Sequence, residues 1–193
     1  MKAKNALITT GFILLFLSGC IPSIQSLYHD EDLVYKSELL GNWKDDDGNF
    51  WNFKAGGEKS YDLTFYENPG IINDTTTKGE FETHLVQLGD YYFLDLYPGE
   101  NNQLEMPSLL IASLLPVHIF AKVDFIDNQV QVSFFDPGWL ESLMEENRIR
   151  ISYEKTEELF VLTASTDELQ RFVVKYAETE KAFVNTLFLE KSE

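Results

Sequence analysis

The chain has 193 residues, of which 44 % are hydrophobic and 14 % aromatic, so a packed globular fold is expected rather than a disordered chain. Its formal net charge is −17 at pH 7, and because this acidity repels phosphate groups, nucleic acid is not expected as a partner. Cys20 is the single cysteine, which excludes an internal disulfide and a cysteine-based metal site.

The amino terminus has the pattern of a secretory signal segment. Lys2 and Lys4 supply a positive start, and a mainly apolar run follows over residues 6–17. A run of about a dozen residues is too short to cross the roughly 30 Å hydrocarbon core of a bilayer as a helix. We therefore predict removal of residues 1–19, which takes the formal charge from −17 to −19 because both lysines leave with this segment.

The signal segment ends in Leu17-Ser18-Gly19-Cys20, which resembles the lipobox of bacterial lipoproteins. The resemblance implies cleavage before Cys20, transfer of a diacylglyceryl group to its thiol and acylation of the freed amine. Two or more acyl chains give stable membrane anchoring, whereas one gives only marginal binding. The alternative is an ordinary secretory signal that is followed by a cysteine by chance.

The residues after Cys20 bear on localisation and organisation. Ile21 is not the aspartate that, by resemblance to Gram-negative lipoproteins, favours retention in the inner membrane. The expected location is therefore the cell envelope, at the periplasmic face of the outer membrane if the organism has one. Residues 20–38 show no sustained periodicity and are predicted to be a lipidated anchor and tether.

Residues 39–193 are predicted to form a single, mainly β domain. Apolar and polar residues alternate in several segments, and Asp-Gly, Gly-Asp and Asp-Asn pairs between them predict tight hairpin turns. The predicted strands cover residues 39–44, 49–55, 60–66, 79–88, 91–97, 119–126, 129–135, 159–164 and 182–190.

Three accessory helices are predicted within this domain. Asp136-Pro137 supplies an N-cap and a proline at the first helical position. Ser165 and Glu168 have the spacing of a capping box, and apolar residues follow at helical intervals. The third helix is predicted over residues 108–115, an apolar segment that could form a lid over a barrel or part of its core.

Gly41-Asn42-Trp43, on the first predicted strand, resembles the Gly-X-Trp opening of lipocalins. Together with the hairpins that follow, the resemblance extends over about residues 39–132. It implies a lipocalin-like antiparallel barrel or curved sheet, in which the tryptophan closes one end and the glycine lets a neighbouring backbone approach. A small barrel can be filled by its own side chains or hold one ligand, and the sequence leaves both open.

The sequence contains no pattern for nucleophilic catalysis and none for a metal site, and no cofactor is expected. A calcium loop that began at Asp45 would need glycine at its sixth position and glutamate at its twelfth, where the chain has Phe50 and Gly56. His29, His84 and His118 are not spaced as metal ligands on one element.

Asp95 is the carboxylate of most interest, because it lies in a strand that is otherwise apolar on both faces. A buried charge needs a partner, and Lys122 and Asp124 are candidates, unless those two residues form an ion pair of their own. The structural interpretation is a hydrogen-bonded aspartate. The functional one is a polar anchor for a ligand inside the barrel, with Asp95, Lys122 and Asp124 as ligand-binding residues.

Three functions are therefore considered. The first is a non-enzymatic envelope lipoprotein that binds a small apolar molecule or acts as an interaction module. The second is a structural or assembly partner with a filled barrel that binds another envelope protein. The third is an enzyme, for which Asp95, His84 and His118 are the only candidate residues.

Overall fold

The computed structural model describes residues 20–68, 77–99, 102, 114–156 and 160–192. The predicted signal segment lies outside these residues, as does the helix predicted over 108–115 apart from its last two positions.

The described chain contains short and long strands and two α-helices. The strands are β1 (Pro22–Ser23), β2 (Leu33–Val34), β3 (Gly41–Lys44), β4 (Phe50–Ala55), β5 (Ser60–Glu67), β6 (Thr77–Leu88), β7 (Tyr91–Pro98), β8 (His118–Ile126), β9 (Gln129–Phe135), β10 (Tyr153–Lys155), β11 (Phe160–Leu162) and β12 (Phe183–Lys191). The helices are α1 (Pro137–Glu145) and α2 (Thr166–Tyr176), and 3-10 turns lie at Asp30–Asp32, Ser37–Leu39 and Glu180–Ala182.

Eight of the strands close into an antiparallel barrel. Strands β3 to β9 pair in sequence order, and β12 lies between β9 and β3 to complete the ring. Closure removes the free edges that an open curved sheet would leave. The prediction of a mainly β, lipocalin-like barrel with accessory helices is therefore confirmed.

The hairpin turns lie where the sequence predicted them. Gly48 and Gly89 have φ angles of 85° and 62°, and Asp127 has a φ angle of 50°. Glycine and aspartate are among the residues that tolerate this left-handed backbone, which tight hairpins require. These turns set the register in which β3, β6 and β8 pair with the strands that follow them.

The barrel interior holds one apolar cluster. Alternate residues of the strands point inward, and the cluster comprises Leu39, Trp43, Trp51, Phe53, Tyr61, Leu63, Leu85, Leu94, Leu96, Ala121, Val123, Val130, Val132, Phe134 and Leu189. Trp43 is buried there, and its indole N–H donates to the carbonyl of Leu39 at 2.8 Å. Lys191 Nζ lies 4.7 Å from the centre of the Trp43 ring and donates to the carbonyl of Leu40.

A second apolar cluster covers the outer face of strands β6 to β9. Both helices contribute to it, and each begins at the predicted cap. The Asp136 carboxylate accepts the Gly138 amide at 2.8 Å, while Ser165 and Glu168 form the capping box of α2. Leu169, together with its neighbours along the same face of α2, is buried against the barrel wall.

The segment 20–38 is not the free tether that its sequence suggested. Strand β1 pairs with both β8 and β11, and β2 pairs with β6. Ile21 and Leu27 are fully buried in the outer cluster. The prediction failed because two-residue strands and isolated apolar contacts leave no periodic pattern in a sequence.

Candidate functional site

Asp95 lies under the amino-terminal segment, and only 1 % of its surface is exposed. Phe93, two residues earlier on β7, belongs to the outer cluster, whereas Leu94 and Leu96 point into the barrel. Asp95 therefore faces outward, because alternate residues of a strand share a face. It is buried, but not inside the barrel as the ligand-anchor interpretation supposed.

Two strong hydrogen bonds hold this carboxylate. The backbone N–H of Leu27 donates to Asp95 Oδ2 at 2.7 Å, and His118 Nδ1 lies 2.7 Å from Asp95 Oδ1. An ionised carboxylate only accepts hydrogen bonds, so the distance fits the histidine tautomer that carries its proton on Nδ1. The short distances are those of charge-assisted hydrogen bonds.

Three aromatic rings complete what we call the Asp95 cluster, which comprises Asp95, His118, His84, Tyr28 and Tyr97. His84 is the register partner of Asp95 on β6, and its ring centre lies 4.5 Å from that of Tyr28. The rings of Tyr97 and His118 are also 4.5 Å apart. The strand pairing thus brings together both histidines and the aspartate that were the candidates for an enzyme.

Burial governs the ionisation of this cluster. It lowers the pKa of His84, against the opposing effect of the Glu82 and Asp95 carboxylates. Burial, followed by the charges of Asp95, Glu82 and Asp30, raises the pKa of Tyr28 to about 12. The cluster therefore favours a neutral imidazole at His84 and a neutral phenol at Tyr28.

The contacts of the cluster fix the amino-terminal segment in place. Asp95 binds the Leu27 amide from the barrel side, while Gln170 on α2 donates to the Leu27 carbonyl at 3.0 Å. The Thr166 hydroxyl donates to the carbonyl of Ser26 at 2.9 Å. An Asp–His pair can orient a general base, but here the segment covers the carboxylate and occupies its second oxygen. The geometry supports a structural clamp.

Lys122 and Asp124 do not join this cluster. Lys122 Nζ lies 3.2 Å from Asp124 Oδ2, so these two residues form an ion pair with each other. This was one of the two alternatives that the sequence left open. Both line an open polar groove of about 280 Å³ on the outer surface, together with Ser133, Thr186 and Glu178. A groove that is open to solvent offers charged contacts but does not enclose an apolar ligand.

Cys20 lies against the interior cluster of the barrel, although the residue that follows it belongs to the outer cluster. Pro22 pairs with Ile119 at the start of β8, so the segment that follows Cys20 joins the sheet at the end of the barrel where β7 ends and β8 begins. Burial raises the pKa of the Cys20 thiol from 9.0 to about 11. The thiolate is thus disfavoured in the folded chain.

In the described part of the chain, Thr83 is the one residue with a buried side-chain polar atom that makes no hydrogen bond. Its side chain shares the inward face of β6 with Leu85, and its exposed fraction is 0 %. The Thr83 hydroxyl is buried without a hydrogen-bond partner. No sequence signal singled out this residue, because a threonine in a strand is common.

The described residues contain no group of three or more histidine, cysteine or acidic side chains that could hold a metal ion. His29 contacts Asp167 at 2.9 Å on the surface. Among the same residues, no helix has the length and apolar character needed to cross a membrane.

The fold and these contacts define a class: a closed eight-stranded β-barrel with a clamped amino-terminal segment and helices over one side. In comparisons with known proteins, no family, no curated protein and no solved structure matches this chain.

Proposed function

We propose that the protein is a cell-envelope lipoprotein, anchored through acyl chains on Cys20, whose barrel acts as a non-enzymatic interaction module with a filled interior. Its expected partners are the membrane and another envelope protein. By the resemblance of its amino terminus to Gram-negative lipoproteins, its location is the cell envelope, at the periplasmic face of the outer membrane if the organism has one.

The packing of the barrel interior is the observation that carries this proposal over a carrier function. The central side chains are at most 1 % exposed; they are Phe53, Tyr61, Leu63, Leu85, Leu94, Ala121, Val123 and Val132. A void that admits a water-sized probe would leave accessible surface on the atoms that line it. No such void adjoins these side chains, whereas carriers enclose several hundred Å³ around a ligand.

The position of Cys20 supports the anchoring part of the proposal. Ile21 is fully buried, and Pro22 is already paired in the sheet, so no flexible spacer separates the cysteine from the folded body. Acyl chains on Cys20 would hold the barrel directly at the bilayer surface, and two such chains suffice for stable binding.

The burial of the Cys20 thiol favours lipidation before folding. In the transfer, the thiol gives up its proton, a bond forms between Sγ and a glyceryl carbon of a phospholipid, and the bond from that carbon to the phosphate oxygen breaks. The phosphorylated head group leaves with the electron pair and accepts the proton. Because a pKa of about 11 leaves little thiolate, this step is favoured on the chain before residues 20–38 dock.

Binding of a free apolar molecule in the barrel is the second candidate function, and Thr83 favours it. A buried hydroxyl without a partner is the type of polar group that orients a ligand in an otherwise apolar site. The Asp95 cluster gives no comparable support for an enzyme, because the Leu27 amide covers the carboxylate of Asp95.

Two mass measurements test the proposal. The intact mass of the protein from native membranes should show a chain that begins at Cys20 with a diacylglyceryl group, and Cys20→Ser should abolish this group and release the protein from the membrane. Native mass spectrometry of unlipidated Cys20→Ser protein should give a bare mass. An unmodified wild-type chain would overturn the anchor, and a lipid adduct lost on denaturation would favour the carrier function.

A further inference from the structure

We infer that the outer face of strands β3, β4, β5 and β12 is the surface through which the protein binds its partner, and that this partner is a protein with basic residues around an apolar centre. The inference deepens the proposed interaction function and rests on it. It adds the location of the binding surface and the chemistry of the partner.

Three exposed aromatic side chains lie on this face of the barrel. Phe50 on β4 and Tyr66 on β5 are directly opposite each other, and Phe188 lies on β12. Their exposed fractions are 43 %, 38 % and 37 %. The inward-pointing residue next to each of them packs in the interior cluster. All three rings therefore point outward, because alternate residues of a strand share a face.

Lys44 joins these rings into one row. It is opposite Phe50, and its Nζ lies 5.5 Å from the centre of the Phe50 ring. On its other side Lys44 is opposite Glu190, and Phe188 lies two residues before Glu190 on the same face of β12. Directly opposed residues are about 5 Å apart and diagonal ones about 7–8 Å. Phe188, Lys44, Phe50 and Tyr66 thus form a continuous row, which we call the aromatic row.

Carboxylates surround the aromatic row. Asp46 and Asp47 in the turn between β3 and β4, Glu67 at the end of β5 and Glu190 on β12 are all exposed. Among the residues that the structure describes, none of these four carboxylates has an ion-pair partner, and neither does Lys44. Aromatic side chains inside a polar, solvent-accessible rim are typical of protein–protein interfaces.

This wall of the barrel is also the one that the chain leaves uncovered. The outer cluster and both helices lie over β6 to β9, and the amino-terminal segment pairs with β6 and β8. Three rings that expose about two fifths of roughly 150–250 Å² each give roughly 200–300 Å² of aromatic surface. A contiguous apolar patch of a few hundred Å² often marks an interaction site.

The charge around the aromatic row favours a basic protein over the other occupants. A second copy would bring the same acidic surface against this one, and each chain has a formal net charge of −17. Anionic lipid head groups would be repelled by the same carboxylates. A partner with lysine or arginine around an apolar centre would pair with the rim and cover the rings. The negative field of the chain would also speed its approach.

Site-specific photo-crosslinking of the full-length protein in its native cells is the first part of the test. The photoreactive residue p-benzoylphenylalanine replaces Tyr66 in one variant and Val174 in another. Val174 is the matched control, because it is also 38 % exposed but lies on α2, over the covered side of the barrel. Peptide sequencing of each adduct identifies the molecule that is attached.

We expect the variant at Tyr66 to give an adduct with one basic envelope protein and the variant at Val174 to give none. With that protein purified, Phe50→Ala should weaken binding about 30-fold, because central aromatic residues are frequent hot spots, whereas Val174→Ala should leave it unchanged. Asp46→Asn combined with Asp47→Asn should slow association, and added salt should do the same. Equal melting temperatures establish that each variant is folded.

The remaining outcomes each overturn the inference. An adduct of the variant at Tyr66 with a second copy, with lipid or with an acidic protein would replace the basic partner by that occupant. A protein adduct at Val174 alone, or equally at both positions, would overturn the surface and leave the proposed interaction function intact. No adduct at either position would overturn both the surface and that function. Unchanged affinity of Phe50→Ala for the crosslinked protein would also refute the surface.

Discussion

Replacing Asp95 with alanine tests the clamp on the amino-terminal segment. The substitution removes the acceptor for the Leu27 amide and for His118 Nδ1, each at 2.7 Å. A hydrogen bond to a charged group contributes about 1.5–3 kcal/mol, and the substitution removes two hydrogen bonds to the Asp95 carboxylate. We expect Asp95→Ala to lower the free energy of unfolding by about 3–5 kcal/mol, or the melting temperature by roughly 6–20 °C.

Two assays separate this effect from general destabilisation. Urea denaturation followed by far-ultraviolet circular dichroism gives the change in unfolding free energy. Hydrogen exchange measured on peptides that cover residues 22–34 should increase strongly, because the Leu27 amide loses its partner, while exchange in β4 and β5 should change only in proportion to global stability. Asp95→Asn keeps one acceptor and should lose about 1–2 kcal/mol.

Asp124→Ala is the matched control, since it removes an aspartate from the same barrel face. Asp124 pairs with Lys122 while substantially exposed, and such a pair contributes at most about 1 kcal/mol. The clamp would be refuted if Asp95→Ala cost no more than this control, or if its cost came without faster exchange over residues 22–34.

Three further predictions concern ionisation and capping. Because burial raises the pKa of the Cys20 thiol to about 11, iodoacetamide should alkylate the folded unlipidated chain about 100-fold more slowly than the chain in denaturant at pH 7.5; equal rates would contradict the burial of Cys20. Burial lowers the pKa of His84, so its contribution to stability is present above 6.5, the ordinary histidine pKa, and is lost as the pH falls below it. His84→Gln should therefore reduce the fall in melting temperature between pH 7 and pH 5. His29→Gln should not reduce it, because the hydrogen bond to Asp167 raises the pKa of His29 and reverses the sign. Asp136→Ala removes the cap of α1 and should cost about 1 kcal/mol in thermal denaturation, while Asp136→Ser should restore most of it.

The barrel strands and both described helices could be predicted because their signals are local. The turns at Gly48, Gly89 and Asp127 need residues that tolerate a left-handed backbone, and the caps at Asp136 and Ser165 lie next to the helices that they start. Such signals lie within a few residues of the element concerned. They fix where strands begin and end, but not what covers the barrel.

The site could be predicted only in part. Asp95 was identified because a charge in an apolar strand needs a partner, yet its partners were not the residues expected. The Leu27 amide is 68 positions away, and a backbone N–H has no signature in a sequence. Lys122 was a plausible partner by charge, but in the structure it pairs with Asp124. Thr83 was missed because its significance depends on the absence of an acceptor inside the folded barrel.

The docking of residues 20–38 changes the electrostatics of the proposed anchorage. A flexible tether of this length would let the barrel move roughly 20–25 Å from the membrane, beyond the Debye length of about 8 Å at physiological ionic strength. In the proposed anchorage, the clamped segment would keep the predicted mature chain, with a formal charge of −19, inside that range, where anionic head groups would repel it. The net charge therefore supplies no attraction to an anionic lipid surface. If the protein is anchored as proposed, its orientation would come from the rigid connection between Cys20, β1 and the Asp95 cluster, and the clamp would be part of the anchoring function.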